Sequence, residues 1–247
     1  IPAAASSSWI AARRSALSRP PLKIGPAENV KWKTEVPWSP SSPCVWGERI
    51  FLTTWAEPNL EVRCHDRATG ALRWTRALRP DQLEDFNHFD GSPAASTPAT
   101  DGVRVVSYFG SWGLVCHDFE GRELWRRPLP CAVSGGRFGT GTSPVIHEGV
   151  VLLNRDQYQF STLLAVDVKT GRTVWEAPRP DSSGSFGTPA LWRQRGGTEV
   201  VLAGSAQLKG YDFATGAERW SIANVTGTVC TTPVVGADAR RSTPTEP

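Results

Sequence analysis

The most polar segment of the chain runs from Glu84 to Asp90 and places one histidine between carboxylates, with Asp85 before His88 and Asp90 after it. An imidazole flanked by carboxylates can ligate a metal or transfer a proton, so His88 and Asp90 are candidate ligand-binding residues. The alternative is a solvated loop held by bonds between its side chains and the backbone. No catalytic residue and no metal site are assigned to this segment.

A glycine-rich segment, residues 134–141, superficially resembles a phosphate-cradling loop. It lacks the following helix and the Lys-Ser/Thr pair that such a loop needs, so phosphate binding is discounted. Its glycines are expected to let the chain enter a crowded inner strand. Arg137, inside the segment, is expected to point into a central funnel and is a further candidate for ligand binding.

Three polar residues follow an apolar, strand-like run: Asn154, Asp156 and Gln157. Their amide and carboxylate groups are candidates for lining the same funnel. The alternative for Asp156 is a structural ion pair with Arg155 or Arg137.

The cysteines and the charge narrow the functional classes. The five cysteines form no CxxC pair and no metal-ligand spacing, which argues against zinc. Cys64 and Cys116 are expected to be small buried side chains, and His65 and His117 to be surface or seam residues set by a repeat.

The net charge is 27 minus 24, or +3, with scattered basic residues, which argues against a nucleic-acid partner. No apolar stretch reaches the roughly eighteen residues of a membrane span.

A motif that occurs four times, with Asp, Gly and Trp in the same order, indicates the secondary structure that positions these residues. Its tryptophans are 51, 50 and 45 residues apart (74 to 125, 125 to 175, 175 to 220). The copies are Asp66, Gly70 and Trp74; Asp118, Gly121 and Trp125; Asp167, Gly171 and Trp175; and Asp212, Gly216 and Trp220. A Ser/Thr-Pro pair keeps the same period, at Ser42-Pro43, Thr97-Pro98, Ser143-Pro144, Thr188-Pro189 and Thr232-Pro233.

Periods of about 40 to 50 residues with strand-like content predict a β-propeller of four-stranded antiparallel blades. In each motif the Asp can accept bonds from the amides ahead of it, and the Gly tolerates a positive φ in a hairpin turn. The tryptophans are expected on outer strands, packed across the seam between neighbouring blades.

The ends of the chain depart from this pattern. Residues 1–26 and 236–247 lack periodicity and are predicted to be disordered or divergent, leaving 27–235 as the propeller repeats. The segment around Trp32 is expected to be an outer strand whose blade is completed elsewhere. The sequence thus predicts four complete blades plus parts of two others, a fragment whose open blade edges favour self-association.

Residues Ala165-x-Asp167-x-x-Thr170-Gly171-x-x-x-Trp175 resemble the tryptophan-docking motif of the pyrroloquinoline-quinone-like (PQQ-like) β-propellers. That group includes quinoprotein dehydrogenases and BamB-type outer-membrane assembly factors. The resemblance implies an eight-bladed ring, a periplasmic or secreted location, and frequently no known enzyme activity.

In such blades, the second turn and the connection to the next blade emerge on the same face. These segments vary most here, and we call this side the loop-rich face. It comprises residues 55–59, 81–92, 108–112, 132–140, 154–159 and 181–187.

Three functions remain open for this face. The preferred one is a non-catalytic extracytoplasmic scaffold that binds a protein or a small ligand. The second is a PQQ-dependent alcohol or sugar dehydrogenase with calcium, although the vicinal cysteines and the CxxCH haem site common in such enzymes are absent from this sequence. The third is a BamB-like assembly factor that engages partner β-sheets.

Overall fold

The computed structural model describes residues 22–23, 25, 27–87, 91–225 and 229–235. These residues form sixteen β-strands in four antiparallel sheets, each made of four consecutive strands in chain order. The first strands of the first three sheets contact one another in series, as at the centre of a propeller. The predicted all-β partial propeller of four-stranded blades is confirmed.

The strands have the following bounds. The first sheet contains β1 (Cys44–Trp46), β2 (Arg49–Ala56), β3 (Asn59–Asp66) and β4 (Leu72–Leu78), and the second contains β5 (Ala99–Thr100), β6 (Arg104–Phe109), β7 (Gly113–Asp118) and β8 (Glu123–Pro128). The third contains β9 (Val145–His147), β10 (Val150–Arg155), β11 (Thr162–Asp167) and β12 (Thr173–Pro178), and the fourth β13 (Ala190–Gln194), β14 (Gly197–Gly204), β15 (Ala206–Asp212) and β16 (Glu218–Val225). One 3-10 turn, Gly135–Arg137, lies between the second and third sheets.

The repeated motif forms the turn between the third and fourth strands of each sheet. In the first copy, Asp66 Oδ1 accepts hydrogen bonds from the backbone N–H of Ala68 at 2.9 Å and of Thr69 at 3.0 Å. Gly70 closes the turn with a φ of +76°, which a residue with a Cβ rarely adopts. The turn chemistry expected from the sequence is therefore present.

A tryptophan on the fourth strand joins each of the first three sheets to the next. Its indole N–H donates to the carbonyl of the residue that follows the motif Asp in the next sheet. The pairs are Trp74 with Phe119 at 2.9 Å, Trp125 with Val168 at 2.9 Å, and Trp175 with Phe213 at 3.0 Å. The ring covers the turn glycine, so that a Cβ on Gly171 would lie only 2.7 Å from the Trp125 ring.

The Ser/Thr-Pro marker forms a second set of links between sheets. The backbone N–H of Ser42 donates to Thr97 Oγ1 at 3.0 Å, and that of Thr97 donates to Ser143 Oγ at 3.0 Å. The N–H of Ser143 donates in the same way to Thr188 Oγ1 at 3.1 Å. Each hydroxyl therefore satisfies a backbone donor of the preceding repeat, next to the innermost strands.

Apolar side chains fill each of the three spaces between consecutive sheets. The cluster between the first two includes Phe51, Leu60, Trp74 and Val105; the next includes Tyr108, Leu114, Trp125 and Leu153; and the last includes Leu152, Leu163, Trp175 and Leu202. Cys64 and Cys116 are fully buried free thiols, as expected. His65 and His117 are buried too, and the His117 ring packs against Trp74 at a centroid distance of 5.9 Å.

The first and fourth sheets differ from the inner ones in how their tryptophans pack. Trp32 docks on the turn of the first sheet and donates to the Arg67 carbonyl at 3.0 Å. The outer strand expected around Trp32 is not formed, because residues 30–36 pair with no strand among the described residues. Trp220 turns back on its own sheet and donates to Glu199 Oε2 at 2.6 Å.

Candidate functional site

The structure brings three of the sequence-predicted residues together on the loop-rich face. Asn154 lies near the end of β10, and Asp156 and Gln157 follow in the loop. All three are buried and line one small cavity. His88 and Asp90 lie outside the described residues.

This cavity lies where the second, third and fourth sheets contribute loops. Its volume is about 10 Å³, room for roughly one water-sized group. The lining residues are Tyr108, Ala132, Ser134, Thr140, Thr142, Asn154, Arg155, Asp156, Gln157, Ser185 and Phe186. Most of the lining groups are uncharged hydroxyls and amides.

Asp156 is held in a buried ion pair. Its Oδ1 accepts from Arg179 Nε at 2.7 Å and its Oδ2 from Arg179 Nη2 at 3.1 Å, and both side chains are 0% exposed. Ser185 Oγ donates to the same carboxylate, and Arg179 also donates to the hydroxyl of Tyr211. The structural ion pair expected as the alternative for Asp156 is present, with Arg179 as the partner in place of Arg155 or Arg137.

The two amide residues are bonded differently. Asn154 Nδ2 donates to the Gly187 carbonyl at 3.1 Å, whereas its Oδ1 has no hydrogen-bond partner among the described residues. Gln157 Oε1 accepts from the Val133 N–H at 3.2 Å and so fixes the loop above the cavity. Asn154 Oδ1 is therefore a buried acceptor without a partner at this place, and Glu84 Oε1 is another among the described residues.

Arg155 and Glu84 add charge to the edge of the cavity. Arg155 Nη2 donates to the Pro130 carbonyl at 2.8 Å, and its Nε donates to Tyr108 OH at 3.4 Å. Glu84 accepts a hydrogen bond from Thr140 Oγ1, and its own N–H donates to Ser111 Oγ at 2.9 Å. Burial raises the pKa of Glu84 to about 7.

Glu84 was not singled out from the sequence, although it begins the polar segment that contains His88. Its partners Thr140 and Ser111 are 56 and 27 residues away in the chain. The sequence shows only that Glu84 is a carboxylate in a loop that varies between the repeats. Nothing local distinguishes the buried Glu84 from the exposed Asp85.

Arg137 does not occupy the place expected for it. Its side chain is 68% exposed and pairs with the equally exposed Asp85 at 3.0 Å. It is absent from the lining of the cavity. Two turn residues, Gly136 and Arg137, have positive φ values of +71° and +59°, and this turn directs the side chain to the surface.

Exposed apolar side chains lie on the loops that contribute residues to the cavity. Phe138, Tyr158 and Phe160 are 45%, 61% and 86% exposed, and Val133 is 60% exposed. The Tyr158 N–H donates to the Val133 carbonyl at 3.1 Å, which holds two of the loops together. We call Phe138, Tyr158 and Phe160 the aromatic rim; Phe160 lies in the same loop between β10 and β11 as Tyr158.

The small cavity itself does not fit a quinone with calcium. A cavity of about 10 Å³ cannot contain a tricyclic quinone. The Asp156 carboxylate already accepts three hydrogen bonds, two from Arg179 and one from Ser185, and its charge is paired with Arg179. Among the residues described, no three His, Cys, Asp or Glu side chains are grouped to hold a metal ion.

The fold and the tryptophan joints define the class of this protein as a β-propeller built from four-stranded repeats. A family model described as "Outer membrane protein assembly factor BamB" matches residues 58–238. The chain belongs to this family of PQQ-like repeat propellers. No curated protein matches the sequence.

Solved structures show the same fold at low sequence identity. BamB from Moraxella catarrhalis has a TM-score of 0.56 and 17% identity, over 79% of this chain and 55% of that one. A europium-containing methanol dehydrogenase has a TM-score of 0.53 and 13% identity, over 76% and 42%. The quinohemoprotein alcohol dehydrogenase from Comamonas testosteroni has a TM-score of 0.52 and 16% identity, over 74% and 34%. The chain thus spans about half the length of this BamB and less than half of each of the two dehydrogenases.

The part of the chain that the structure describes contains no helix with the length and apolar character needed to cross a membrane.

Proposed function

We propose that this protein is a non-catalytic extracytoplasmic scaffold that binds its ligand or partner on the loop-rich face. The observation that carries the proposal is the aromatic rim, where three large rings are exposed around a rigid polar network. Exposed apolar groups cost free energy in water, and clusters of them mark interaction sites. Binding residues on loops held by a rigid scaffold are a common arrangement.

The chemistry below the rim supports binding over catalysis. Asp156, the carboxylate predicted for this site, has both oxygens occupied by Arg179. Glu84 is tied to Thr140 and Ser111 beneath the surface. Both carboxylates are buried and hydrogen-bonded within the protein. A general base needs hydrogen-bond reach to the proton that it removes.

A periplasmic or secreted location is part of the proposal. It is supported by the family description, which names an outer-membrane assembly factor, and by the fold shared with BamB. A BamB-like assembly role is the second candidate. The exposed Tyr158 and Phe160 favour it, because aromatic side chains on loops are frequent anchors in protein interfaces.

A photo-crosslinking amino acid at position 160 tests the proposal in intact source cells. The matched control carries it at position 103, where Val103 is 62% exposed in the turn between β5 and β6, on the opposite face. We expect an adduct from position 160 and none from position 103. Equal labelling at both positions would contradict a specific loop-rich face.

A dehydrogenase assay separates the enzyme alternative. The purified chain is incubated with pyrroloquinoline quinone, calcium, a redox dye, and either ethanol or glucose. We expect no reduction of the dye above the rate without protein. Turnover with either substrate would replace the scaffold proposal with a quinoprotein dehydrogenase.

A further inference from the structure

Glu84 is a buried carboxyl group without an ion-pair partner among the described residues. It is 3% exposed, its Oε2 accepts from Thr140 Oγ1, and its Oε1 has no hydrogen-bond partner in that part of the chain. A neutral acid at this place leaves one oxygen unsatisfied, whereas an ionised acid leaves an unpaired charge buried, which costs more free energy. The geometry therefore favours the protonated form of Glu84 in the folded protein.

Three groups that can carry charge face Glu84 from neighbouring parts of the fold: Tyr108 on β6, Cys131 in the connection after β8, and Arg155 on β10. Burial raises the pKa of Tyr108 and of Cys131, so both are neutral at pH 8 and below. Burial also raises the pKa of Glu84 to about 7, although the bond from Thr140 and the Arg155 charge act in the opposite direction. Glu84 therefore changes its charge near neutral pH while these neighbours keep theirs.

The Glu84 carboxyl packs directly against the turn between β6 and β7. A Cβ added to Gly110 of this turn would lie 2.5 Å from Glu84 Oε2, and the Glu84 N–H donates to Ser111 Oγ at 2.9 Å. An ionised carboxylate gains most of its stability from water. Because the carboxyl is enclosed, water can solvate it fully only when the loops around it move apart.

The bond between Glu84 and Thr140 joins two loops that also meet through their backbones. Phe86 and Phe138 form an antiparallel bridge, and the Asn87 N–H donates to the carbonyl that precedes Phe138 at 2.5 Å. The Ser92 N–H donates to the Phe138 carbonyl at 3.3 Å. Since Phe138 belongs to the aromatic rim, the contact between the loops positions part of the rim.

These loops can separate without unfolding the sheets. The bridge consists of one pair of residues, 86 and 138, while β10 and β11 pair over six. Weakly paired loops open locally at a lower free energy than that of global unfolding. The side-chain bond from Thr140 to Glu84 is therefore a substantial part of what holds them together.

We propose that Glu84 regulates the loop-rich face as a pH-dependent latch: when its carboxyl is protonated the two loops stay together, and when it is ionised they shift toward a separated state that displaces Phe138. This inference rests on the proposed function of the face and specifies its regulation. The closed state holds the proton up to about pH 7, and an opened loop releases it near 4.5, the ordinary value. Rising pH therefore favours the open state.

Amide hydrogen exchange followed by NMR on the free protein at pH 5.5 and pH 8 tests the latch. The probe amides are those of Asn87 and Ser92, which bond across the two loops. After correction for the intrinsic exchange rate, we expect their protection to fall roughly 30-fold between these pH values and to be lower than that of β11 at both. Equal protection at the two pH values, or protection as high as that of β11, would overturn the latch.

Two neighbouring carboxylates provide matched variants. Glu84→Gln keeps an acceptor for Thr140 and cannot ionise, so the protection of the probe amides should be the same at both pH values. Asp85→Asn removes the exposed partner of Arg137, which also links the two loops, and should leave the fall of the wild type unchanged. A fall that persists in Glu84→Gln, or one that disappears in Asp85→Asn, would contradict the role of Glu84.

Thr140→Val removes the other half of the latch and retains the shape of the side chain. We expect the probe amides of this variant to lose protection already at pH 5.5, because the bond to Glu84 is absent at every pH. This variant decides the question if Glu84→Gln fails to fold. Protection equal to that of the wild type at pH 5.5 would show that the bond does not hold the loops together.

The latch and the scaffold function can fail separately, because the exchange experiment needs no partner. Protection of the probe amides that does not depend on pH would remove the latch and leave a specific crosslink from position 160 intact. Equal crosslinking from positions 160 and 103, together with a roughly 30-fold fall in protection, would remove the binding face and leave the latch as a property of the loops alone.

Discussion

At the scale of single residues, the buried pair of Asp156 and Arg179 has the largest expected effect. Asp156→Ala leaves the Arg179 charge buried without its partner, which is expected to cost about 3 to 5 kcal/mol of unfolding free energy. Asp85→Ala is the control, because its pair with Arg137 is 68% exposed on both sides and should change stability by less than about 0.5 kcal/mol. Urea unfolding measures both. Equal effects would show that Asp156 is not structural.

Glu84 is expected to make the protein less stable as the pH rises. Burial raises its pKa from 4.5 to about 7, so the folded state holds a proton that the unfolded state releases between these values. Stability is therefore fully present below pH 4.5 and is lost on going to pH 7, by about 3 kcal/mol.

Glu84→Gln keeps an acceptor for Thr140 and removes the titration. We expect the variant to gain stability over the wild type at pH 8 and to match it at pH 4.5. The measurement is the free energy of unfolding in urea at the two pH values. A difference between variant and wild type that is the same at both would contradict the raised pKa.

His117 has the opposite dependence. Burial against Trp74 lowers the pKa of His117 from 6.5 to about 4. Between these two pH values the unfolded state binds a proton at this imidazole and the folded state does not. Its contribution to stability is lost as the pH falls from 6.5 to 4, by about 3 kcal/mol. His117→Gln should therefore lose less stability than the wild type between pH 7 and pH 4. Parallel pH profiles would show that the imidazole is not responsible.

The sequence predicts part of this site, for reasons visible at particular residues. Asn154, Asp156 and Gln157 are close in the chain, so that one strand end brings them to the same cavity. The pairing of Arg179 with Asp156 does not follow from the sequence, because the two are 23 residues apart and meet only when β10, β11 and β12 have paired in the third sheet. Burial, which raises the pKa of Glu84, is a tertiary property that no local pattern contains.

At the scale of the elements, two turn glycines separate the cost of a positive φ from the cost of disturbing a tryptophan that packs on the turn. Gly171 and Gly149 have similar φ values, +68° and +80°, but only at Gly171 would a Cβ meet the Trp125 ring. Gly149→Ala should cost about 1 to 2 kcal/mol for the left-handed conformation alone. Gly171→Ala should cost about 1 to 3 kcal/mol more, because the ring must move. Thermal unfolding of the two variants measures the difference in stability cost. Equal costs would contradict the packing of Trp125 on Gly171.

The repeat could be predicted because its turn chemistry is local. Asp66 and Gly70 act within one hairpin, and their order in the chain is enough to identify the turn. The bonds between Ser/Thr-Pro segments were not predicted, although the marker itself was found. Thr97 and Ser143 are 46 residues apart, and their contact depends on how the sheets pack.

At the scale of the whole molecule, each of the four sheets is packed against its neighbours along a series. Stability in such an array is approximately a sum of sheet terms and seam terms. Trp175→Ala is expected to weaken the last seam by about 3 to 5 kcal/mol and to let the fourth sheet, β13 to β16, exchange its amide hydrogens early. Hydrogen exchange followed by mass spectrometry resolves the sheets.

The control is Trp220→Ala, which changes a tryptophan that contacts Glu199 of its own sheet and no turn of a described neighbour. We expect the first and second sheets to keep their protection in both variants. Uniform loss of protection over all four sheets in Trp175→Ala would show a single cooperative unit in place of a series.

The acceptor in every tryptophan joint is a backbone carbonyl, provided in turn by Arg67, Phe119, Val168 and Phe213. Three different residue types, Arg, Val and Phe, occur at this one position, so the hydrogen bond of the joint does not depend on which side chain is there. An extra copy of one period, inserted at a connection between sheets, would therefore carry both a docking ring and a docking turn. Because each joint uses the same tryptophan and a backbone acceptor, the number of sheets can change by duplication of one repeat, while the surface loops are free to differ in sequence.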